Sequence, residues 1–216
     1  MKKAPWILVV GVDGAGKSSH IDDIVAHLKS LGYEVTTTRE PGGTELGERI
    51  RCDILTTSMD QQTEILLSFA QRAENHQKVV FPALDAGFAV VQDRSTDCTV
   101  AYQGFAQGGN LDDIAYLENM VHQGRHPDLV LFFDLPPKES LRRLQGTGKT
   151  PDKFESQGEE YFENARKGYL SRVEAFPDRY RVISSLPPLV EVKKTVRETI
   201  FDFMKDFKNK PSGFKP

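Results

Sequence analysis

Runs of apolar and polar residues along the chain predict strands that alternate with helices. Strand-like runs occupy residues 6–10, 34–38, 88–92, 129–135 and 180–184. Segments with apolar residues at helical spacing lie between and after them, at residues 18–31, 46–55, 62–81, 111–122, 137–144, 159–175 and 189–207. Residues 129–133 lack polar alternation, which is typical of a parallel strand buried on both faces. The pattern predicts an α/β fold with a five-stranded parallel sheet flanked by helices.

The length of 216 residues suits one domain, which we predict to span residues 1–207. Residues 145–158 are polar and rich in Gly, Thr, Lys and Asp, and we interpret them as a mobile, lid-like surface loop between two helices. Residues 208–216, rich in Lys, Pro and Gly, are predicted to form a flexible tail.

Composition narrows the class of partner. The formal charge of −3 provides no general attraction to nucleic acid or membranes, so we expect small phosphorylated ligands at a locally cationic site. Cys52 and Cys98 form neither a metal-ligand spacing nor a disulfide framework, which is consistent with a reducing compartment. The apolar run at residues 6–10 is too short for a signal peptide or a membrane span, and we therefore expect a cytoplasmic protein.

A phosphate-binding loop follows the first predicted strand. Residues 11–18 fit the pattern GxxxxGK[ST] and lie immediately before a predicted helix. Glycines let backbone N–H groups turn towards a phosphate, Lys17 reaches the β- and γ-phosphates, and Ser18 is a ligand for Mg²⁺. A chance glycine-rich turn would not combine strand, spacing, Lys and Ser. The loop predicts ATP and Mg²⁺ as cofactors.

Two further strand ends carry charged residues. Arg39 precedes a turn of Pro and two glycines in which Thr44 is placed to cap the next helix, so we expect Arg39 to point into the cleft as a phosphate clamp. The alternative is an ordinary surface arginine. Asp93 and Arg94 end the third strand, where Asp93 is a candidate metal ligand beside Ser18 and Arg94 a candidate for neutralising phosphate charge. The alternative here is a structural ion pair.

These motifs together resemble the thymidylate kinase family, in its bacterial-like type without an arginine in the phosphate loop. The matching segments are the loop itself (Gly11, Asp13, Gly14, Ala15, Gly16, Lys17, Ser18), Arg-Glu-Pro-Gly-Gly-Thr at 39–44, Asp93-Arg94, Ala-Tyr-Gln-Gly at 101–104, Pro-Asp-Leu-Val at 127–130 and Asp-Lys-Phe-Glu at 152–155. The resemblance implies a three-layer sandwich like that of P-loop nucleoside monophosphate kinases. It also implies a homodimer formed by helices flanking the sheet, to which the helix at 62–81 is a candidate contributor.

The activity implied by the resemblance is Mg²⁺-dependent transfer of the ATP γ-phosphoryl group to thymidine monophosphate. By analogy, Arg39 would grip the acceptor phosphate, Arg94 would bridge the two phosphate sites and Asp13 would contact the sugar 3′-hydroxyl. Tyr102 would exclude a 2′-hydroxyl, although a lone Tyr is more often plain core packing. The remaining implied contacts are Phe69, Arg72, Thr99 and Gln103 for the acceptor, and Ser19 and Arg143 for ATP.

The sequence contains no arginine in its phosphate loop. We therefore expect Lys149 and Lys153 of the 145–158 loop to supply positive charge at the transferring phosphoryl group. The alternative for these lysines is solubility alone. Two rival functions from other classes are a nucleotide-dependent switch and a catalytically weak binding protein. The candidate acceptor residues Arg39 and Tyr102 argue against the first, and intact Lys17 argues against the second.

Several positions depart from the family pattern. Ser68 stands where an aromatic residue would stack on the base, with Phe69 one residue later, and Ser95, Cys98, Gln107 and Lys153 also differ. Either Phe69 turns into the pocket and thymine is held, or the pocket is wider and accepts a 5-modified deoxyuridylate or another deoxynucleoside monophosphate. The intact motifs favour thymidylate.

Overall fold

A computed structural model describes residues 3–146, 148 and 152–209 and confirms the predicted parallel sheet. The strands are β1 (Trp6–Val10), β2 (Val35–Arg39), β3 (Ala89–Asp93), β4 (Leu129–Asp134) and β5 (Tyr180–Ser184). All pairings are parallel, in the order β2-β3-β1-β4-β5. The predicted strand bounds agree with these to within one residue.

The predicted helices are present in the predicted order, and the structure adds a short helix, Thr96–Thr99, that was not predicted. They are α1 (Ser18–Ser30), α2 (Glu45–Thr56), α3 (Gln61–Asn75), α4 (Phe81–Asp85), α5 (Thr96–Thr99), α6 (Leu111–His122), α7 (Pro137–Gln145), α8 (Glu159–Ala175) and α9 (Leu189–Asn209). A π-helical turn, His76–Val80, joins α3 to α4 without a break. Because α9 extends to Asn209, residues 208 and 209 of the predicted tail are helical, and residues 210–216 lie outside the described residues.

A second π-helical segment was missed by the sequence prediction. Residues Val100–Ala106 continue directly from α5 and carry the Ala-Tyr-Gln-Gly motif. Thr, Val and Gly in this region have low helix propensity, so the local sequence does not indicate a helix. Packing against α8 stabilises the segment instead, since the Cα of Ala101 faces Gly168 there.

The central strands are buried on both faces. All residues of β1 are buried, as are the first five of β4, whereas the edge strands β2 and β5 are partly exposed. A separate apolar cluster between α3, the second π-helical segment and α6 contains Ile65, Phe69, Val100, Ile114 and Val121. Among the described helices, none has the length and apolar character needed to span a membrane.

The carboxyl ends of β1 and β3 meet at one edge of the sheet. Val9 pairs with Asp93 in register, and the backbone N–H of Arg94 donates to the carbonyl of Val9 at 2.9 Å. Because the strand order reverses at β1, a crevice opens beyond these strand ends, where ligands of parallel α/β sheets bind.

Candidate active site

The phosphate loop connects β1 to α1 and requires glycine at its first position. Gly11 has φ 145°, and a Cβ there would lie 2.4 Å from the carbonyl oxygen of Phe133. The Nζ of Lys17 donates to the carbonyls of Gly11 and Val12, both at 2.9 Å. Burial, with the nearby positive charge of Arg94, lowers the pKa of Lys17. The loop thus holds its lysine at the position where an incoming phosphate is expected.

The other predicted loop residues are placed around this lysine. Ser18 and Ser19 are exposed at the start of α1, and Gly16 is exposed beside them. Ala15 is buried, whereas Asp13 and Gly14 are half-buried. The hydroxyl of Ser140 donates to the backbone carbonyl of Asp13 and so fastens the loop to α7.

Asp13, Arg94 and Tyr102 form one polar cluster. The guanidinium of Arg94 pairs with the Asp13 carboxylate, and the Tyr102 hydroxyl donates to Asp13 Oδ2 at 3.1 Å. Burial alone would raise the pKa of Asp13, but the charges of Arg94 and Lys17 outweigh burial and lower it. Asp13 is therefore a carboxylate at neutral pH, able to accept further hydrogen bonds. Arg94 at the end of β3 therefore forms an ion pair with a residue of the phosphate loop, as the structural alternative for this motif expected.

Asp93 has the features of a metal ligand. Its Oδ1 is buried and has no hydrogen-bond partner, which is unusual for a carboxylate. Asp93 pairs in register with Val9 of β1, two residues before the phosphate loop begins at Gly11. Carboxylate and hydroxyl oxygens are ligands that Mg²⁺ prefers. Asp93 and the exposed Ser18 therefore fit the predicted metal site.

A cavity beside the phosphate loop contains most of the predicted acceptor residues. Asp13, Arg72, Arg94, Thr99, Tyr102 and Gln103 all line it. Arg72 is buried, donates from Nε to Glu40 at 2.7 Å and from Nη2 to the Thr99 hydroxyl at 3.2 Å, and keeps Nη1 without a partner. An unpartnered buried donor beside a cavity is free to bind a polar ligand atom.

Glu40 holds Arg72 in place. Burial alone would raise the pKa of Glu40, but the Arg72 guanidinium, with His76, outweighs burial and lowers it to about 2. The side-chain amide of Gln92 also donates to Glu40, at 2.8 Å. From the sequence alone, Glu40 is part of the motif at residues 39–44 and no role is assigned to it.

Arg39 does not line the cavity, contrary to the prediction that it points into the cleft. It is half-exposed, and its Nη2 donates to Glu48 at 2.8 Å. Arg51 of α2 lines the cavity in its place and donates to the carbonyl of Pro41 at 2.9 Å. Burial, with repulsion from Arg39 and Arg94, lowers the pKa of Arg51. An anion bound beside Arg51 would relieve this repulsion between the arginines.

The signal for Arg51 was present in the sequence. Gly47 and Ile54 are the buried residues of α2, and Arg51 lies four residues after the first and three before the second. A charged residue on the inward stripe of an amphipathic helix indicates a function for its charge. The predicted cap of this helix is confirmed, because the Thr44 hydroxyl accepts from the backbone N–H of Gly47.

Phe69 lies behind the cavity rather than in it. It is buried in the apolar cluster with Ile65 and Val100, and the Arg72 guanidinium lies 4.6 Å from the centre of its ring. Ser68 lines the cavity instead. Successive helical residues point in directions about 100° apart, so only one of this pair faces the cavity. Phe69 therefore supports Arg72 and does not replace the missing aromatic at position 68.

Lys153, one of the two predicted lysines, is paired away from the phosphate loop. Lys153 donates to Glu64 of α3 at 2.5 Å and to the carbonyl of Thr57 at 3.3 Å. Lys149 lies outside the described residues. Three neighbours of Lys153 that were not predicted to act, Asp152, Phe154 and Glu155, line the cavity.

A second cavity lies on the other side of the phosphate loop. Arg143 of α7 lies within it and donates to the carbonyls of Ser185 at 2.8 Å and Gly14 at 3.4 Å. Arg142 is exposed and pairs with Glu139. The apolar residues Leu186 and Leu189 also line this cavity, and both are exposed. A planar guanidinium beside apolar side chains suits a nucleotide base.

A phosphate loop at the end of β1, with an arginine-lined cavity on one side and a partly apolar cavity on the other, defines a P-loop kinase of the nucleoside monophosphate kinase class. The family model described as "Thymidylate kinase" matches residues 9–196. The chain belongs to the thymidylate kinase family.

Curated relatives with this description resemble the chain over nearly its whole length. The thymidylate kinase of Methylobacillus flagellatus is 46% identical over 203 residues, covering 94% of this chain and 98% of its own. That of Nitrosomonas europaea is 44% identical over 208 residues, covering 95% and 96%. The crystal structure of thymidylate kinase from Ehrlichia chaffeensis superimposes with a TM-score of 0.75 at 26% identity, covering 93% of this chain and all of that one.

Proposed function

We propose that this chain transfers the γ-phosphoryl group of ATP to thymidine monophosphate, giving thymidine diphosphate, with Mg²⁺. The observation that carries the proposal is the cavity beside the phosphate loop, which brings Arg51, Arg72 and Arg94 together with Tyr102. Arg72 and Arg94 are paired with Glu40 and Asp13, whereas Arg51 donates to the carbonyl of Pro41 and keeps its charge available to an anionic acceptor. Both curated relatives described above carry the name of this activity.

The transfer requires two polyanions to approach each other end to end. An oxygen of the acceptor phosphate forms a bond to the γ-phosphorus while the bond from that phosphorus to the β–γ bridging oxygen breaks, releasing ADP. Lys17, Arg51 and Arg94 reduce the repulsion, and no general base is required. Mg²⁺ held by Ser18 and Asp93 supplies further neutralisation of phosphate charge when bound.

The cavity contains separate groups for the base and for the sugar. The free Nη1 of Arg72 is available for a polar edge of the base. The ionised Asp13 accepts a hydrogen bond from the 3′-hydroxyl, and the Tyr102 ring beside it leaves no room for a 2′-hydroxyl. This arrangement selects deoxyribose by steric exclusion.

The donor nucleotide occupies the second cavity in this proposal. Its phosphates lie in the loop of residues 11–18, and its base lies near Arg143 and Leu186. We further propose a cytoplasmic homodimer built on one kinase domain, as the sequence resemblance implies.

ADP release, measured with ATP and a panel of monophosphates, tests the function. We expect thymidylate to be the best acceptor and deoxyuridylate to be about fivefold poorer in kcat/KM, because one buried methyl group is worth about 1 kcal/mol. The ribonucleotide should be poorer still. ATP consumption without any acceptor would instead indicate a switch, and a ranking that places thymidylate among the poorest acceptors would contradict the proposal.

A further inference from the structure

Glu64 is a buried carboxylate to which the proposed chemistry assigns no role. It lies on α3 and accepts hydrogen bonds from the side-chain amides of Gln103 at 2.6 Å and Gln107 at 3.1 Å. Its second oxygen pairs with the Nζ of Lys153 at 2.5 Å. A buried carboxylate is costly unless it is paired and hydrogen-bonded, and these three donors supply that pairing.

The donors to Glu64 come from two different segments, both of which contribute residues to the acceptor cavity. Gln103 belongs to the second π-helical segment and lines the cavity. Lys153 belongs to residues 152–157, a segment that contributes Asp152, Phe154 and Glu155 to the same cavity. Glu64 therefore connects the cavity wall formed by the second π-helical segment to the wall formed by residues 152–157.

Lys153 is the main attachment of that loop segment. Within the described part of the chain, the other hydrogen bonds of residues 152–157 stay inside the segment, such as those from the N–H groups of Phe154 and Glu155 to Asp152. The Phe154 ring adds one contact, 6.0 Å from the centre of the Tyr102 ring. Loss of the lysine would therefore leave an aromatic contact as the chief link of the loop to the cavity.

We propose that the Glu64–Lys153 ion pair is a latch that holds residues 152–157 against α3 and completes the acceptor cavity. Glu64 is then a positioning residue for the acceptor nucleotide. The inference rests on the proposed function, because it takes thymidylate as the molecule enclosed. A lysine held by Glu64 is not available to the transferring phosphoryl group, so Lys153 acts on acceptor affinity rather than on the chemical step.

Kinetics of single and double variants separate these roles. We expect Lys153→Met and Glu64→Gln each to raise KM for thymidylate about tenfold or more, while kcat at saturation and KM for ATP change less than about threefold. Lys153→Arg keeps the ion pair and should restore the wild-type KM. The double variant Glu64→Gln/Lys153→Met should be no worse than the poorer single variant, since both remove one interaction.

Amide hydrogen exchange gives a readout of the latch itself. Thymidylate should slow exchange at residues 152–157 in the wild type and in Lys153→Arg, and should protect them far less in Lys153→Met. Lys194→Met is the matched control, because Lys194 forms an exposed ion pair with Glu198 of the same helix at 3.9 Å, and it should behave as wild type in both measurements.

The outcomes are distinct from those of the function test. Failure of the wild type to use thymidylate would contradict the proposed function. With an active wild type, an unchanged KM for thymidylate in Lys153→Met, or a fall of more than about 100-fold in its kcat, would overturn the latch. If Glu64→Gln does not fold, the comparison of Lys153→Met with Lys153→Arg decides the question alone.

Discussion

Arg94 lies in the left-handed region of backbone conformation, at φ 68°, which non-glycine residues adopt at a cost of about 1 kcal/mol. Two hydrogen bonds hold it there: its N–H donates to Val9, and its carbonyl accepts from the Gln92 side chain at 3.0 Å. This backbone turn directs the guanidinium away from the strand and onto Asp13. The site thus uses a locally unfavourable conformation to place a charge at the acceptor cavity, next to the phosphate loop.

Replacing Arg94 by glycine separates the effect of backbone strain on stability from the effect of the side-chain charge on activity. We expect Arg94→Gly to lower kcat/KM for thymidylate about 10³-fold, because a preorganised cation at the phosphate site is lost. Stability in urea should change little, since relief of about 1 kcal/mol of backbone strain offsets the lost ion pair. Gln123→Gly is the matched control, because Gln123 is also left-handed, at φ 52°, and caps α6. Retained activity in Arg94→Gly would remove Arg94 from the mechanism.

The contribution of Glu40 to the stability of the protein depends on pH. Its folded-state pKa of about 2 is below the ordinary 4.5, so its stabilising effect is complete above pH 4.5 and is lost as pH falls towards 2. We expect Glu40→Gln to destabilise the protein by about 3 kcal/mol at pH 7, because Arg72 is left buried without a counter-charge. In urea unfolding at a series of pH values, the gap between variant and wild type should narrow below pH 4.5. A gap that is constant down to pH 3 would contradict this account.

At the scale of elements, the contact between α8 and the second π-helical segment determines where Tyr102 lies. Gly168 permits the contact, because a Cβ there would lie 2.6 Å from the Cα of Ala101. π-Helical turns are rare and occur frequently at functional sites, and this one carries both Tyr102 and Gln103. The position of the acceptor wall is therefore set by a glycine on a helix that is distant in sequence.

Adding one methyl group at the contact between Gly168 and Ala101 should displace the second π-helical segment, which forms one wall of the acceptor cavity. We expect Gly168→Ala to destabilise the protein by about 2 kcal/mol and to raise KM for thymidylate more than KM for ATP, because backbone must shift next to Tyr102. The control is Lys167→Ala, which alters the adjacent exposed residue and should stay within about 0.5 kcal/mol of wild type in thermal unfolding. An unchanged KM for thymidylate would show that the segment adapts without displacing Tyr102.

For the whole molecule, exposed apolar side chains indicate where a second copy would bind. Leu66 of α3 and Tyr116 and Met120 of α6 are more than half exposed, and these two helices pack against each other. Apolar side chains grouped on neighbouring helices favour association in water. The homodimer implied by the sequence resemblance is consistent with this face.

A charged substitution tests this face. We expect the wild type to sediment at twice the 24.3 kDa chain mass and Leu66→Glu to sediment as a monomer, because a charge within an apolar interface is strongly unfavourable. Phe201→Glu on α9 is the control, since Phe201 is similarly exposed on a different helix and should leave the dimer intact. A dimer that persists in Leu66→Glu would place the interface elsewhere.

The features that the sequence alone determined are those encoded by residues close to one another. The strands of the sheet follow from short buried runs, and the phosphate loop follows from eight consecutive residues between a strand and a helix. The cap of α2 by Thr44 is likewise a matter of four adjacent residues. In each case the required contacts are local, so the local sequence pattern is sufficient to predict the feature.

The tertiary structure decided which charged side chains face the ligand cavities. Arg39 pairs with Glu48 while Arg51 enters the acceptor cavity, and Lys153 pairs with Glu64, which is 89 residues away in the chain. A long flexible side chain takes its direction from the partners that packing brings within reach, and those partners lie on other elements. The local sequence pattern contains no information about these partners. Only the folded structure therefore determines where each charged side chain lies.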